Sequence, residues 1–494
     1  VSDTNAVAIR AAKESDLGVA PTTPNLFELD ITGAPNLAFN PNTIVSEKIR
    51  ADRQIDDLVL VGAEASGDIN SEHAFEVHDL LLEGVFFNLF QTRFARTNTV
   101  VETQITDVLT ATDTVTVTDE SDQPVVDDII RHEGFSNAGN NGFFTVLSSS
   151  AATDYVTNEN LVDETPPAGA TSYVVGRRSA AGDIDALTGP NSISSTILNF
   201  TTLGLEAGDW VKFAGFDGNP DNDDYCRIAF AGISANLLTF DIVPSGWGAD
   251  APAGAVDIYL GERLVNGSNR QSYFLEREYT DHSPVTFEYF LGMVIEGFTL
   301  TAAAQAIAQV SFTFSGLDQT FSDSGTPTAK FSVDGAGRIT GATTVPAPSR
   351  QVLNTSSNVG RFARGGTPIT GENFVLEASI EVANNLRQLI AVGFLGAVDI
   401  GVGEFGLTGS LNTYFDSAAL ARDVVSNTET SFDFRLEDDS AHVIIFDAPR
   451  IKFSEGSPEV PGKNDDVTIN LGYQAIREPN LNYTAKYLRF RGVQ

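Results

Sequence analysis

Cysteine, methionine and tryptophan are nearly absent from this chain: one, one and two among 494 residues. The single thiol, Cys226, excludes an intrachain disulfide and fits folding in a reducing compartment such as the cytoplasm. Two tryptophans are too few for the aromatic platform of a carbohydrate-active enzyme. Five scattered histidines give no recognisable base or metal set. His73 and His78 stand five apart and lack the H-E-x-x-H context of a zinc helix. No apolar run approaches the ~20 residues that span a bilayer, so no membrane is expected as a partner. The first residues, Val1-Ser2-Asp3, have neither the basic end nor the apolar stretch of a secretory signal. Cations are scarce too, 30 Lys and Arg against 66 Asp and Glu, for a net charge of −36. That balance argues against nucleic-acid binding, whose affinity comes from cations meeting phosphates.

The motifs of chemistry are likewise missing. Gly401-Val-Gly403-Glu-Phe-Gly406 spells G-x-G-x-x-G but leads into an expected strand and opens no helix, so it fails the dinucleotide-binding context. The oxygen-rich turn Asp217–Asp224 could hold calcium, yet it lacks the twelve-residue loop pattern and a closing Glu, and reads better as an acidic turn. No cofactor, metal or catalytic residue is therefore expected.

What is abundant is glycine (43), phenylalanine (33) and period-2 alternation. Val310-Ser-Phe-Thr-Phe314 and Val467-Thr-Ile-Asn-Leu471 read as half-buried strands. The class is mainly β. Beyond this lies a duplication. Gly67–Phe75 followed by 77–86 (VHDLLLEGVF) matches Phe405–Phe415 followed by 417–425 (SAALARDVV): alternation first, then apolar residues at helical spacing. Each is preceded by an Ile-Thr-Gly (31–33, 369–371) and followed by three more strand-like segments. The first copy is interrupted by some 170 residues that the second crosses in three. That insert repeats internally, Gly134-Phe135 to Val146 against Gly215-Phe216 to Ile228, and carries a charge of −19. The expected organisation is an N-terminal arm (1–25), a first domain (26–96 plus 266–320) and two inserted β modules (97–184 and 185–265). A linker (321–364) and a second domain (365–494) follow. The modules should stand off the duplicated body, since insertions are tolerated at exposed loop tips.

This ordered set resembles the tail tube proteins of long non-contractile-tailed bacteriophages. The likeness rests on Ser66–Phe90, Gly292–Phe314, Pro449–Phe453, Gly462–Val467 and Tyr473–Ala475, and no single motif is diagnostic. The resemblance implies tandem β-sandwich domains, each with one flanking helix, and a chain that polymerises with itself into stacked rings. It implies a virion component made in the host cytoplasm, with a tape-measure protein and tail-end proteins as partners. DNA would pass through without specific binding. If such tubes are hexagonal in domain count, a duplicated chain needs three copies per ring; six whole chains is the alternative. A wall lacking cations would let phosphates slide, and Glu276, Glu278, Asp433, Arg435 and Glu437, on the polar faces of two expected strands, are its candidate residues. The linker arginines Arg350, Arg361 and Arg364 are candidates for contacts with a neighbouring subunit or ring. A surface-layer or adhesin protein is the alternative class.

Overall fold

The computed structural model describes residues 3–33, 35–118, 123–150, 153–369 and 373–493; Thr370 and Gly371 of the second Ile-Thr-Gly lie outside them. The chain is mostly β, with two eight-residue α-helices among the described residues. Its spine is an antiparallel sheet of eight strands crossing both halves. In spatial order these are Ala38–Val45, Leu58–Glu72, Gln309–Gly316, Thr286–Ala303, Val375–Ala383, Gly406–Tyr414, Thr468–Ala475 and Val443–Glu455. Alternation explains the strands. Val310, Phe312 and Phe314 point into the core, while Ser311 and Thr313 point out.

Two of these strands also serve a second layer. The first part of Thr286–Ala303 pairs with Tyr273–Tyr279, which pairs with Val7–Lys13. The first part of Val443–Glu455 pairs with Glu429–Glu437, which pairs with Val359–Arg364. Gly292, at φ +67°, sits where the longer strand passes between layers, and a Cβ there would meet Leu317. Each half therefore runs its six strands in one order. The helices, α1 (Asp79–Phe86) and α2 (Ala419–Ser426), follow equivalent strands and end on left-handed residues, Phe87 and Asn427. One continuous apolar core fills both halves, from Ile9 and Leu82 to Phe432 and Tyr473.

The insert folds as a second sheet of thirteen strands over two apolar clusters. One draws on residues between Phe94 and Val174, the other on residues between Ile184 and Leu260. The Gly-Phe turns agree in detail. Asn141 Oδ1 accepts from Phe135 N and Asp223 Oδ1 from Phe216 N, both at 2.9 Å. Glu164 caps two amides of the first turn and Asp250 two of the second. The carboxylates of Asp223 and Asp250 thus satisfy backbone donors in the acidic turn.

The insert does not stand off the body as expected. Trp210, Tyr225, Tyr259 and Tyr173 pack on Val443, Ile445, Leu488 and Phe490 of the second half. Ion pairs cross the same boundary: Arg227–Asp447 at 3.0 Å, Lys486–Asp209 at 2.8 Å and Arg350–Glu133 at 3.0 Å. The strand pair 443–447/486–490 presents a second apolar face, which must be covered, and the insert is what covers it.

Candidate assembly surface

Strand alternation gives the eight-stranded sheet one dry face and one wet face. Across the dry face, Ile69, Phe312, Phe298, Val382 and Leu407 are ladder neighbours, all buried. Across the wet face the neighbours run Asn70, Ser311, Thr299, Glu381, Thr408, Gln474 and Lys452. The next row runs Glu72, Gln309, Thr301, Ser379, Ser410 and Gly472. This face is made of short hydroxyls, amides and carboxylates. Seven of the eight strands contain no Lys or Arg, the exception being Val443–Glu455 with Arg450 and Lys452. Partial burial, then the charges of Glu64 and Asp68, hold the Glu296 carboxyl above the usual range. Like charges are thus crowded on this surface without cations between them.

The two ends of the sheet differ in what they leave open. At one end the hairpin 38–72 exposes Ile44, Val45, Leu58, Val59 and Leu60. At the other, α2 buries Leu420 alone and exposes Val425, whereas α1 buries Leu81, Leu82, Gly84, Val85 and Phe86. A third apolar patch lies on the loop of the second hairpin, where Ile390, Val392 and Phe394 line a groove with Asn42 and Val61. Exposed apolar surface of this extent marks a contact site.

The residues picked from sequence as wall candidates lie in the second layer, away from the wet face. Glu276 is 0% exposed and is held by Arg10 at 2.9 Å and Arg338 at 2.8 Å. Asp433 is 1% exposed and takes Arg361 at 2.6 Å; burial, partly offset by Arg361, pushes its pKa up. Neither presents a carboxylate to a surface of this chain. Glu278 is largely buried against Arg10 at 2.6 Å, Arg435 reaches Asp224 of the insert at 2.9 Å, and Glu437 is half-buried. The linker arginines also bond within their own chain: Arg350 to Glu76 and Glu133, Arg361 to Asp433, Arg364 to Asp423.

Sequence reasoning missed the wet face because its strands were read for their apolar phase. The signal was in the other phase: Gln309/Ser311/Thr313, Glu377/Ser379/Glu381 and Thr408/Ser410/Asn412, in strands with no basic residue. Among the described residues no group of three or more His, Cys, Asp or Glu is placed to hold a metal ion. Nor, among the described residues, is any helix long and apolar enough to cross a membrane.

A family model described as phage tail tube protein matches residues 4–475. No curated protein matches the chain.

Proposed function

The chain belongs to the phage tail tube protein family, and from that premise we propose that three copies close into a ring of six like units. Rings of this kind stack into the hollow tail tube of a long-tailed phage, with the wet face of the eight-stranded sheet lining the channel. The observation that carries this reading is the junction between the halves. Ala383 to Glu377 pairs with Gly297 to Ala303, so two units of the same strand order already stand side by side in one continuous sheet. A contact that uses different surfaces on its two sides, repeated around an axis, closes a ring. Each chain supplies two of six positions, so three chains complete the circle.

The chemistry of the wet face suits a channel for DNA. Phosphates meet Glu64, Asp68, Glu72, Glu296, Glu377 and Glu381 together with neutral Ser, Thr, Asn and Gln, and so find no run of cations on which to stick. The insert, docked on the second layer behind this sheet, lies outside the channel, and its charge of −19 does not contribute to the lining. Within the virion the same channel would hold a tape-measure protein during assembly.

Negative-stain electron microscopy of the purified, concentrated chain tests the reading. Hollow ring-repeated tubes with three outer knobs per ring are expected. Six knobs per ring would keep the tube and overturn the trimer.

A further inference from the structure

Equivalent positions in the two halves differ in exposure, and the differences sit in two places. Val85 and Val425 each stand two residues before the left-handed residue that ends their helix; Val85 is 0% exposed and Val425 89%. Ile400, opposite Gln388, and Leu58, opposite Val45, occupy matching points of the two hairpins; Ile400 is 0% exposed and Leu58 59%, with Leu60 two residues on at 46%.

The buried member of each pair is covered by the junction between halves. There the hairpin 375–414 lies against α1. Asn384 Nδ2 donates to the carbonyls of Val85 (3.1 Å) and Ile295 (2.9 Å). The Phe405 ring lies 5.9 Å from that of Phe86, and Ile400 packs with Phe87 and Val294. The exposed members lie at opposite ends of the eight-stranded sheet. Leu58, with Leu60, belongs to the hairpin at one end. Val425 belongs to the helix at the other, beside the stretch Phe453–Glu455. Among the described residues that stretch has a partner strand on one side only.

We propose that the outer face of α2, with the open strand edge at 453–455, is a socket for the hairpin 38–72 of a second copy. The hairpin seats there as the hairpin 375–414 seats on α1 within one chain. The occupant follows from the internal junction, which pairs a helix of this type with a hairpin of this type. The surfaces that the junction buries are those the two ends leave exposed. The inference rests on the ring reading above and adds which surfaces meet. Because socket and plug differ, every chain offers one of each, and growth runs head to tail.

The test uses the full chain with Leu60→Cys and Val425→Cys, assembled and then treated with a bis-maleimide. Cys226 is fully buried, so the unsubstituted chain is a clean control. Cross-linked dimers and trimers are expected. Tubes visible by microscopy without cross-links would overturn the socket and leave the ring reading standing. Cross-links running to hexamers would keep the socket and overturn three chains per ring. Absence of both tubes and cross-links would overturn both. Charge substitutions give the second readout. Val425→Asp and Leu60→Asp each alter an exposed side chain, so the free chain should melt as before. Each alone should lose assembly by about tenfold or more. Mixed one to one, they should stop at dimers through the single intact plug and socket. Tubes from either variant alone at the unsubstituted level would overturn the proposal.

Discussion

The two halves cover the same surface with different material. In the first half the outer face of the second layer, Phe274, Phe287 and Tyr289, lies under the linker residues Phe331 and Ile339, and Ile339 N donates to Tyr289 Oη at 2.9 Å. In the second half Val443 and Ile445 lie under Trp210 and Tyr225 of the insert. Each cover also brings an arginine to a buried carboxylate, Arg338 to Glu276 and Arg227 to Asp447. A sheet layer with two apolar faces demands burial on both sides. It does not specify the segment that provides it, and one chain uses a linker for one copy and an insertion for the other.

Removing the covers should break the halves unequally. Deletion of 97–265 with a short joining linker exposes Val443, Ile445, Leu488 and Phe490 and takes Arg227 from Asp447, Asp209 from Lys486 and Glu133 from His442. Loss of the cooperative melt and aggregation on size-exclusion chromatography are expected, contrary to what a freely projecting insert would allow. Deletion of 323–342 uncovers a smaller face and leaves Glu276 with Arg10, so a folded chain with a lower Tm is expected. Equal outcomes would show that the insert is no more integral than the linker.

Single arginines sharpen the contrast. Asp447 is 0% exposed, and Arg227 is its ion-pair partner. Arg227→Ala should cost about 3–5 kcal/mol, the range for stranding a buried charge. Arg338→Ala should cost about 1–3 kcal/mol, because Arg10 still holds Glu276. Leu291 stands in the first half where Asp447 stands in the second. Arg227→Met combined with Asp447→Leu should therefore recover most of the loss, as replacement of buried pairs by apolar groups often does. Urea unfolding of the four chains measures all three differences.

Much of the fold was legible in the sequence, and what was not legible was the covering. Period-2 runs such as Val310–Phe314 placed strands, and the match of 67–86 with 405–425 placed two strand-to-helix units. The repeated Gly-Phe turns gave the likeness inside the insert. Alternation, however, says which residues share a face and is silent on what lies over that face. Glu276 and Asp433 read as solvated for this reason, since the linker and the insert return from far along the chain to bury them. Arg350, Arg361 and Arg364 misled in the same way: a Ser/Thr/Gly/Pro-rich stretch reads as free to reach a neighbour, and here it strands onto its own body. The wet face was hidden because neutral polar residues leave little mark in composition.

The smallest expected effect separates the halves by pH. Each has a histidine in the hairpin joining its second-layer strands. His282 Nδ1 meets the Thr286 hydroxyl at 3.0 Å, and its ring stacks on Tyr279 at 5.0 Å. His442 is buried, stacked on Phe75 at 4.5 Å, and bridges Asp438 (2.7 Å) to Glu133 of the insert (2.9 Å). Burial alone would lower the His442 pKa, but hydrogen bonds to Asp438 and Glu133 raise it above 6.5. Burial would likewise raise Glu133, yet His442 with Arg131 and Arg350 holds it at about 2. A raised histidine stabilises fully below pH 6.5 and loses that contribution as pH climbs through its folded value. A depressed Glu133 contributes above its ordinary 4.5 and loses it as pH falls toward 2. The clamp between insert and body is therefore strongest between pH 4.5 and 6.5. His442→Asn should cost about 1–3 kcal/mol in that window, and the cost should shrink steadily at higher pH. His282→Asn is the control for the hairpin itself. Denaturant unfolding at several pH values reads both, and a His442→Asn cost that stays constant into alkaline solution would mean the bridge holds without its charge.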